Sequence, residues 1–402
     1  MPGGVWALGL VSLLMDMSSE LIHSLLPVLM VSVLGVSVTA VGFVEGVAEA
    51  TASVSKMLSG ALSDYLRKRK LLVVLGYGLA ALSKPLFPLA HTLGWIVTAR
   101  VADRVGKGIR GAPRDALVAD IVPPGQRGAA YGLRQALDTV GAIAGPALAL
   151  LFMLRFGGNI QRALWIAVIP AVLAVMVLVV AVREPKAAHP RGARGARERM
   201  SFRDARRLSW DYWSIVVIGA VFTLARFSEA FLILRARDVG LADAQTPAIM
   251  VAMNIVYALA AYPAGARADR GQPRAFLLAG LGALIGADVV LGLATSPAIA
   301  FLGAALWGLH MALTQSLLSK LVADAAPADL RGTAFGLFNL VSGVALLLAS
   351  AIAGAAWSRL GPAATFSIGA GFAALAAAGL LVRAPGARRP APAASRGILP
   401  PS

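Results

Sequence analysis

Ionisable residues in the first half of the chain recur at helical spacing. Asp16, Glu20 and His23 fall at i, i+4 and i+7, and Glu45, Glu49 and Lys56 at i, i+4 and i+11. Arg134 and Asp138 share a face with Gly141 and Gly145, and Asp103, Lys107, Arg110 and Arg114 make one stripe at i, i+4, i+7 and i+11. Carboxylates held where access alternates between two aqueous sides can load and release protons, which is the chemistry of coupled transport. Lysine and arginine beside them can bind an anionic substrate group or hold the carboxylates ionised until substrate arrives. Asp16, Glu20, Glu49 and Asp138 are the proton-coupling candidates. Asp103, Lys107, Arg110, Arg114 and Arg134, with Arg226 and Glu229 from the sparser second half, are candidates to line a substrate cavity. For each group the plain alternative is a structural ion pair between helices, such as Arg134 with Asp138 or Asp103 with Lys107. His310 reads as a hydrogen-bonded residue at a helix interface.

No nucleophile–base pair, HExxH or metal-ligand cluster accompanies these residues, so an intramembrane enzyme has no support and neither metal nor cofactor is expected. The "GKG" at Gly106–Gly108 lacks the GxxxxGK[ST] frame of an ATP-driven pump. The chain holds no cysteine, which excludes disulfide and thiolate chemistry.

The elements that must carry these residues are membrane helices. At 58% hydrophobic and 14% charged residues, with mean hydropathy +0.75, the chain is far more apolar than a soluble protein of its length. Apolar runs long enough to cross a bilayer recur throughout, cleanest at Leu71–Ala90, Ala129–Leu154, Leu164–Val182 and Ala363–Val382, and twelve spans can be drawn. A net charge of +17 raises the question of nucleic acid, but the basic residues sit in alternate connections. Arg67–Lys70, the 183–210 segment, Arg267, Arg270 and Arg274, and the tail beyond Arg383 fall on one side. The positive-inside rule then places both termini in the cytoplasm of a multi-pass protein of the bacterial inner membrane. The first apolar run follows no basic residue and precedes no small-residue cleavage site, so it reads as a retained span.

An internal repeat divides the chain. Val118-Ala119-Asp120 recurs as Val322-Ala323-Asp324, and "RGAAYGL" at Arg127–Leu133 as "RGTAFGL" at Arg331–Leu337, both displaced by 204 residues. Two six-helix bundles follow, 1–182 and 211–382, joined by a basic linker, 183–210, and followed by a proline-rich tail, 383–402. The repeat also answers whether the charged stretch Asp103–Asp120 is a loop. Shifted by 204 it becomes Trp307–Asp324, a mostly apolar spanning helix, so the charged copy is expected to be a helix at the same depth. That helix does not need its charges to form, so the stripe is expected to face a polar cavity. Lys84 and Asp288 fall in the third and ninth spans, where the pattern offers them no role.

The pattern resembles the major facilitator superfamily, over the chain from about Trp6 to Val382. Gly60, Leu62, Ser63, Asp64, Lys68 and Arg69 match the family's motif between its second and third helices, with Arg67 where a second glycine is usual. An echo keeps Gly265, Asp269 and Arg270. Arg100 takes the place of the family's helix 4 arginine, and Arg104 replaces a usual glycine. Gly132, Gly141, Gly145 and Pro146 match the spacing of the helix 5 motif associated with antiporters, without its trailing glycine pair. The resemblance implies two bundles rocking about a midplane site. It also implies that Asp64 latches one conformation by pairing with a helix 4 arginine, Arg110 or Arg114, near the start of the eleventh helix. Together these features lead to a monomeric, proton-coupled secondary transporter that exports a small organic compound. The alternatives are an uptake symporter for an organic anion and a transporter-like sensor.

Overall fold

The structure, a computed structural model, describes residues 1–66, 68–183, 207–270, 273–315, 317–327 and 330–382. Most of the basic linker and all of the tail lie outside the described residues. The described chain is helical, with fifteen α-helices that make twelve crossings.

In the first half, α1 (Gly3–Val28), α2 (Val38–Leu66), α3 (Arg69–Ser83), α4 (Leu93–Ile121) and α5 (Arg127–Arg155) each make one crossing, and α6 (Ile160–Trp165) with α7 (Val168–Ala181) make the sixth. In the second half, α8 (Trp210–Leu224) and α9 (Ala230–Asp238) share the seventh crossing, followed by α10 (Pro247–Arg270) and α11 (Pro273–Gly292). The tenth is divided between α12 (Pro297–Thr314) and α13 (Leu317–Ala325), and α14 (Arg331–Leu360) and α15 (Pro362–Val382) complete the set. Eight crossings are long and apolar enough to span a bilayer by length and composition alone. The other four are the second, third, fourth and seventh: α2 and α4 carry charge, α3 is short, and the seventh is interrupted.

The charged segment Asp103–Asp120 lies wholly inside α4, a single helix of 29 residues that Thr92 caps by accepting from the Trp95 N–H. Its counterpart is less regular, because the chain leaves the helix at Gln315, between α12 and α13. The repeat is visible in packing as well as in sequence. A side chain at Gly76 of α3 would meet the Gly106 carbonyl and the Arg110 N–H of α4, each 2.8 Å away. At the equivalent Gly280 of α11 it would meet Thr314 and the His310 carbonyl of α12. Both third-type helices therefore sit against both fourth-type helices through the same small residue.

Between the halves, α2 packs along α14 and α5 along α10. The ends of the bundle that hold residue 3, the end of α2, the start of α3 and residue 382 form one face, called here the terminal face. The α2–α14 seam is tight towards the opposite face. There Gly42 leaves room for the Ser350 carbonyl and the Gly354 backbone, Gly46 for the Leu347 carbonyl, and Gly354 for the Val38 carbonyl.

Candidate functional site

A cavity of about 510 Å³ lies between the halves and reaches from the centre of the bundle towards the terminal face, where Leu318 and Phe338 line it. Its two walls differ in chemistry. From the first half come Asp16, Glu20 and His23 of α1, Glu49 of α2, Arg104 and Lys107 of α4, and Asp138 of α5. From the second half come aromatic and thioether side chains, among them Phe222, Phe227, Met250, Met253 and Met311, with the polar Asn254, Tyr257 and Gln315. All four proton-coupling candidates thus meet in one space, as do Lys107, Arg226 and Glu229.

The stripe on α4 does not. Of Asp103, Lys107, Arg110 and Arg114, only Lys107 lines the cavity, because α2, α3 and α1 divide the charged face among themselves. Asp103 is buried and accepts from Lys84 Nζ at 2.7 Å, not from Lys107, while Lys84 also reaches Ser19 Oγ at 2.9 Å. Arg110 lies with its guanidinium carbon 4.5 Å from the Tyr77 ring centroid, and one nitrogen stands 3.9 Å from Asp16. Arg114 donates to Ser12 at 2.9 Å and contacts Asp115 at 3.3 Å. Arg134 stands behind the wall, donating to Asp138 and lying 3.7 Å from Asp115. The residue of α4 that does join Lys107 is Arg104, 3.2 Å from Glu49.

Three ion pairs of the first half have counterparts in the second, displaced by 204 residues, that carry no such pair. Arg104 and Glu49 become Gly308 and Met253, where the glycine admits the Met253 carbonyl. Arg100 and Glu45, 2.7 Å apart and buried, become Ala304 and Ile249. Lys84 and Asp103 become Asp288 and Trp307, both buried, whose carboxylate oxygens and Nε1 have no hydrogen-bond partner among the described residues. The same helix contacts are built with and without charge, so the packing itself does not require these pairs.

Arg100, matched in sequence to a helix 4 motif, sits deep in the span. It contacts His23 Nδ1 at 2.9 Å as well as Glu45. This group also bridges the halves: Ser228 Oγ donates to Glu45 at 3.3 Å, and His23 Nε2 lies 3.6 Å from Glu229. Further towards the opposite face, Thr39 Oγ1 donates to the Gly354 carbonyl at 3.1 Å and lies 2.9 Å from Ser358 Oγ. Glu45 shares its helical face with Glu49 in the sequence, and that spacing was the signal for it. Nothing in the sequence pointed to its contact with Ser228.

The seventh span is open in the middle. Residues 226–228, between α8 and α9, lie outside helix while Ala225 and Glu229 flanking them keep helical backbone angles, and this segment carries Arg226, Phe227, Ser228 and Glu229 into the cavity wall. The sequence offered no breaker there, since neither glycine nor proline occurs in "ARFSEA".

The motif residues divide. Gly141 and Gly145 give α5 its close approach to α1, since a side chain there would meet the Leu13 and Met17 carbonyls, each 2.5 Å away. Pro146 is buried within α5 beside them. A side chain at Gly132 would meet nothing within 4 Å among the described residues, so no close approach is built on this glycine there. Arg69 anchors the turn after α2 to the end of α4 through Asp120 and the Ala116 carbonyl, and Lys68 precedes α3, exposed. The side chains of Gly60, Asp64, Asp269 and Arg270 lie outside the described residues. Arg110 and Arg114, the partners expected for Asp64, have the contacts given above. His310 bonds the Gly280 carbonyl at 2.8 Å, as an interface residue does. Among the described residues no group of three or more His, Asp or Glu side chains could hold a metal ion.

The profile of the Major Facilitator Superfamily matches residues 8–235 and 224–401. The chain is 35% identical over 375 residues to an uncharacterized MFS-type transporter of Methanocaldococcus jannaschii, covering 91% of each chain. It is 30% identical over 357 residues to an uncharacterized protein of Mycobacterium bovis, covering 87% of this chain and 85% of that one. Among solved structures, the nucleoside transporter NupG superposes with a TM-score of 0.75 at 13% identity, covering 94% of this chain and 98% of that one. A D-xylose–proton symporter superposes with a TM-score of 0.72 at 15% identity, covering 95% and 98%. At these identities the two structures share the fold.

Proposed function

The chain belongs to the major facilitator superfamily, and on that premise we propose that it is a proton-coupled secondary active transporter exporting a small organic compound by alternating access. The observation that carries this reading is the meeting of Asp16, Glu20, Glu49 and Asp138 in one cavity between the halves. Carboxylates at that place exchange protons with whichever side the cavity faces, and a substrate bound among them shifts their ionisation. The tight seam towards the opposite face and the cavity reaching the terminal face describe one of the two states that alternation requires. Lysine and arginine concentrated on the terminal face support placing it in the cytoplasm of a bacterial inner membrane.

The organic-anion symporter remains the second reading because Lys107 and Arg226 line the cavity without a hydrogen bond or ion pair among the described residues. Proteoliposomes with an imposed pH gradient separate the two. An exporter exchanges internal substrate for external protons, so its flux reverses with the gradient in the sense opposite to symport. Flux of substrate that ignores the pH gradient in either direction would remove proton coupling altogether.

A further inference from the structure

The seventh span is interrupted where the fold does not require it. The stretch equivalent to 225–229 in the first half is Leu21–Leu25, which runs unbroken inside α1. Opening a spanning helix frees backbone groups that hydrocarbon cannot satisfy, so such breaks persist where they line a cavity and its ligand. Here the N–H groups of Phe227 and Glu229 make no hydrogen bond among the described residues.

The charges around the break can be accounted for one by one. Glu49 has Arg104, Asp138 has Arg134, and Asp16 has Arg110. Four charged side chains of the cavity remain. Lys107, Arg226 and Glu20 make no ion pair or hydrogen bond among the described residues, and the one such contact of Glu229 is with His23. Two cations and two carboxylates are therefore left for a ligand, with one of each on either half of the protein. A singly charged ligand would neutralise one sign and leave the other uncompensated in a space drawn from water, which is costly.

Resting on the transporter reading above, we propose that the substrate is a zwitterion with an apolar body, its anionic group held by Lys107 and Arg226 and its cationic group by Glu20 and Glu229. The body lies against the second-half wall, where Met311, Leu318 and Leu346 offer apolar surface. Thioether side chains adapt to different shapes, so this wall tolerates variation in the body while the four charges fix the head group. Each sign is bound from both halves, so a zwitterion draws the halves together across the cavity.

The test uses the full-length purified protein and two matched probe sets. Leucyl-phenylalanine and tryptophan are each offered in the free zwitterionic form, as the N-acetyl anion and as the C-terminal amide cation. Binding is read by calorimetry and by the shift in unfolding temperature. The expected result is that at least one free form binds about tenfold or more tightly than both of its blocked forms. Arg226→Gln is expected to erase the preference over the amide, and Glu229→Gln the preference over the acetylated form. The wild-type comparison decides without either variant. A blocked form binding as tightly as its zwitterion, or no binding by any of the six compounds, overturns the assignment. Preferential flux of a singly charged compound in proteoliposomes also overturns it, while leaving the transporter reading in place.

Discussion

Lys84 and Asp288 stand at equivalent positions in the two halves with side chains of opposite sign, one with an ion-pair partner and one without a hydrogen-bond partner among the described residues. Lys84 meets Asp103 at 2.7 Å, while Asp288 faces a neighbourhood that includes Gly369 and Phe227. The two should respond oppositely to neutralisation. Lys84→Met leaves Asp103 buried and unpaired, an expected loss of about 3–5 kcal/mol in stability, and Lys84→Met with Asp103→Leu recovers most of it. Asp288→Leu removes a buried carboxyl that has no hydrogen bond among the described residues and is expected to stabilise by about 1–3 kcal/mol. Unfolding temperatures of the four purified proteins check both; a double variant no more stable than Lys84→Met would contradict the pairing argument.

The stripe on α4 splits into one residue that lines the cavity, Lys107, and three that do not, Asp103, Arg110 and Arg114. Lys107→Met, which copies Met311 of the second half, is expected to weaken substrate binding about tenfold, or roughly 1.4 kcal/mol, with little change in unfolding temperature. Arg110→Thr, which copies Thr314, strips Tyr77 of its cation and Asp16 of its counter-charge, so it is expected to lower the unfolding temperature first. Measuring affinity and stability on the same preparations tells them apart. An unstable Lys107→Met with normal affinity per folded molecule would return Lys107 to the scaffold.

The seam can be locked. Thr39 and Ser358 approach to 2.9 Å across the halves in a chain without cysteine, so Thr39→Cys with Ser358→Cys provides the only thiols. Oxidation is expected to join them and stop transport, with recovery on reduction. Full transport by the oxidised, cross-linked protein would mean that the seam does not open during the cycle.

Orientation follows from the charge pattern and can be read at two exposed positions. Ser209→Cys, on the terminal face, is expected to be labelled by an impermeant reagent only from the cytoplasmic side, and Thr295→Cys, on the opposite face, only from outside. The reverse pattern would invert the topology.

Periodicity and the repeat made much of this legible before any coordinates. Asp16, Glu49, Lys107 and Asp138 were readable as one level because each lies on a helical face at comparable depth, and Asp103–Asp120 was readable as helix because its apolar copy reads as a spanning segment. Partners were not readable. The i, i+4 spacing offered Lys107 to Asp103, yet α3 brings Lys84 closer because Gly76 and Gly106 let the two helices nearly touch. Spacing reports which residues share a face but not which neighbour covers it, so it grouped Arg110 and Arg114 with Lys107. The opening at 226–228 carried no sequence signal because it is held by tertiary contacts, such as the Ser228 N–H on Ser350 Oγ at 3.2 Å, rather than by a helix breaker.

The seam between α2 and α14 is lined by Gly42, Gly46 and Gly354, so at these points main chain meets main chain. Surfaces that touch in this way have no side-chain rotamers to release on parting or to freeze again on rejoining, and the entropy of the two states stays nearly level. Polar resistance to separation is then concentrated in the few links that cross it, Thr39 to Ser358 and Thr39 to the Gly354 carbonyl. A single methyl group added at any of the three glycines acts as a wedge that biases how long the protein dwells in each state, which makes the seam a place where the resting balance can be tuned one residue at a time.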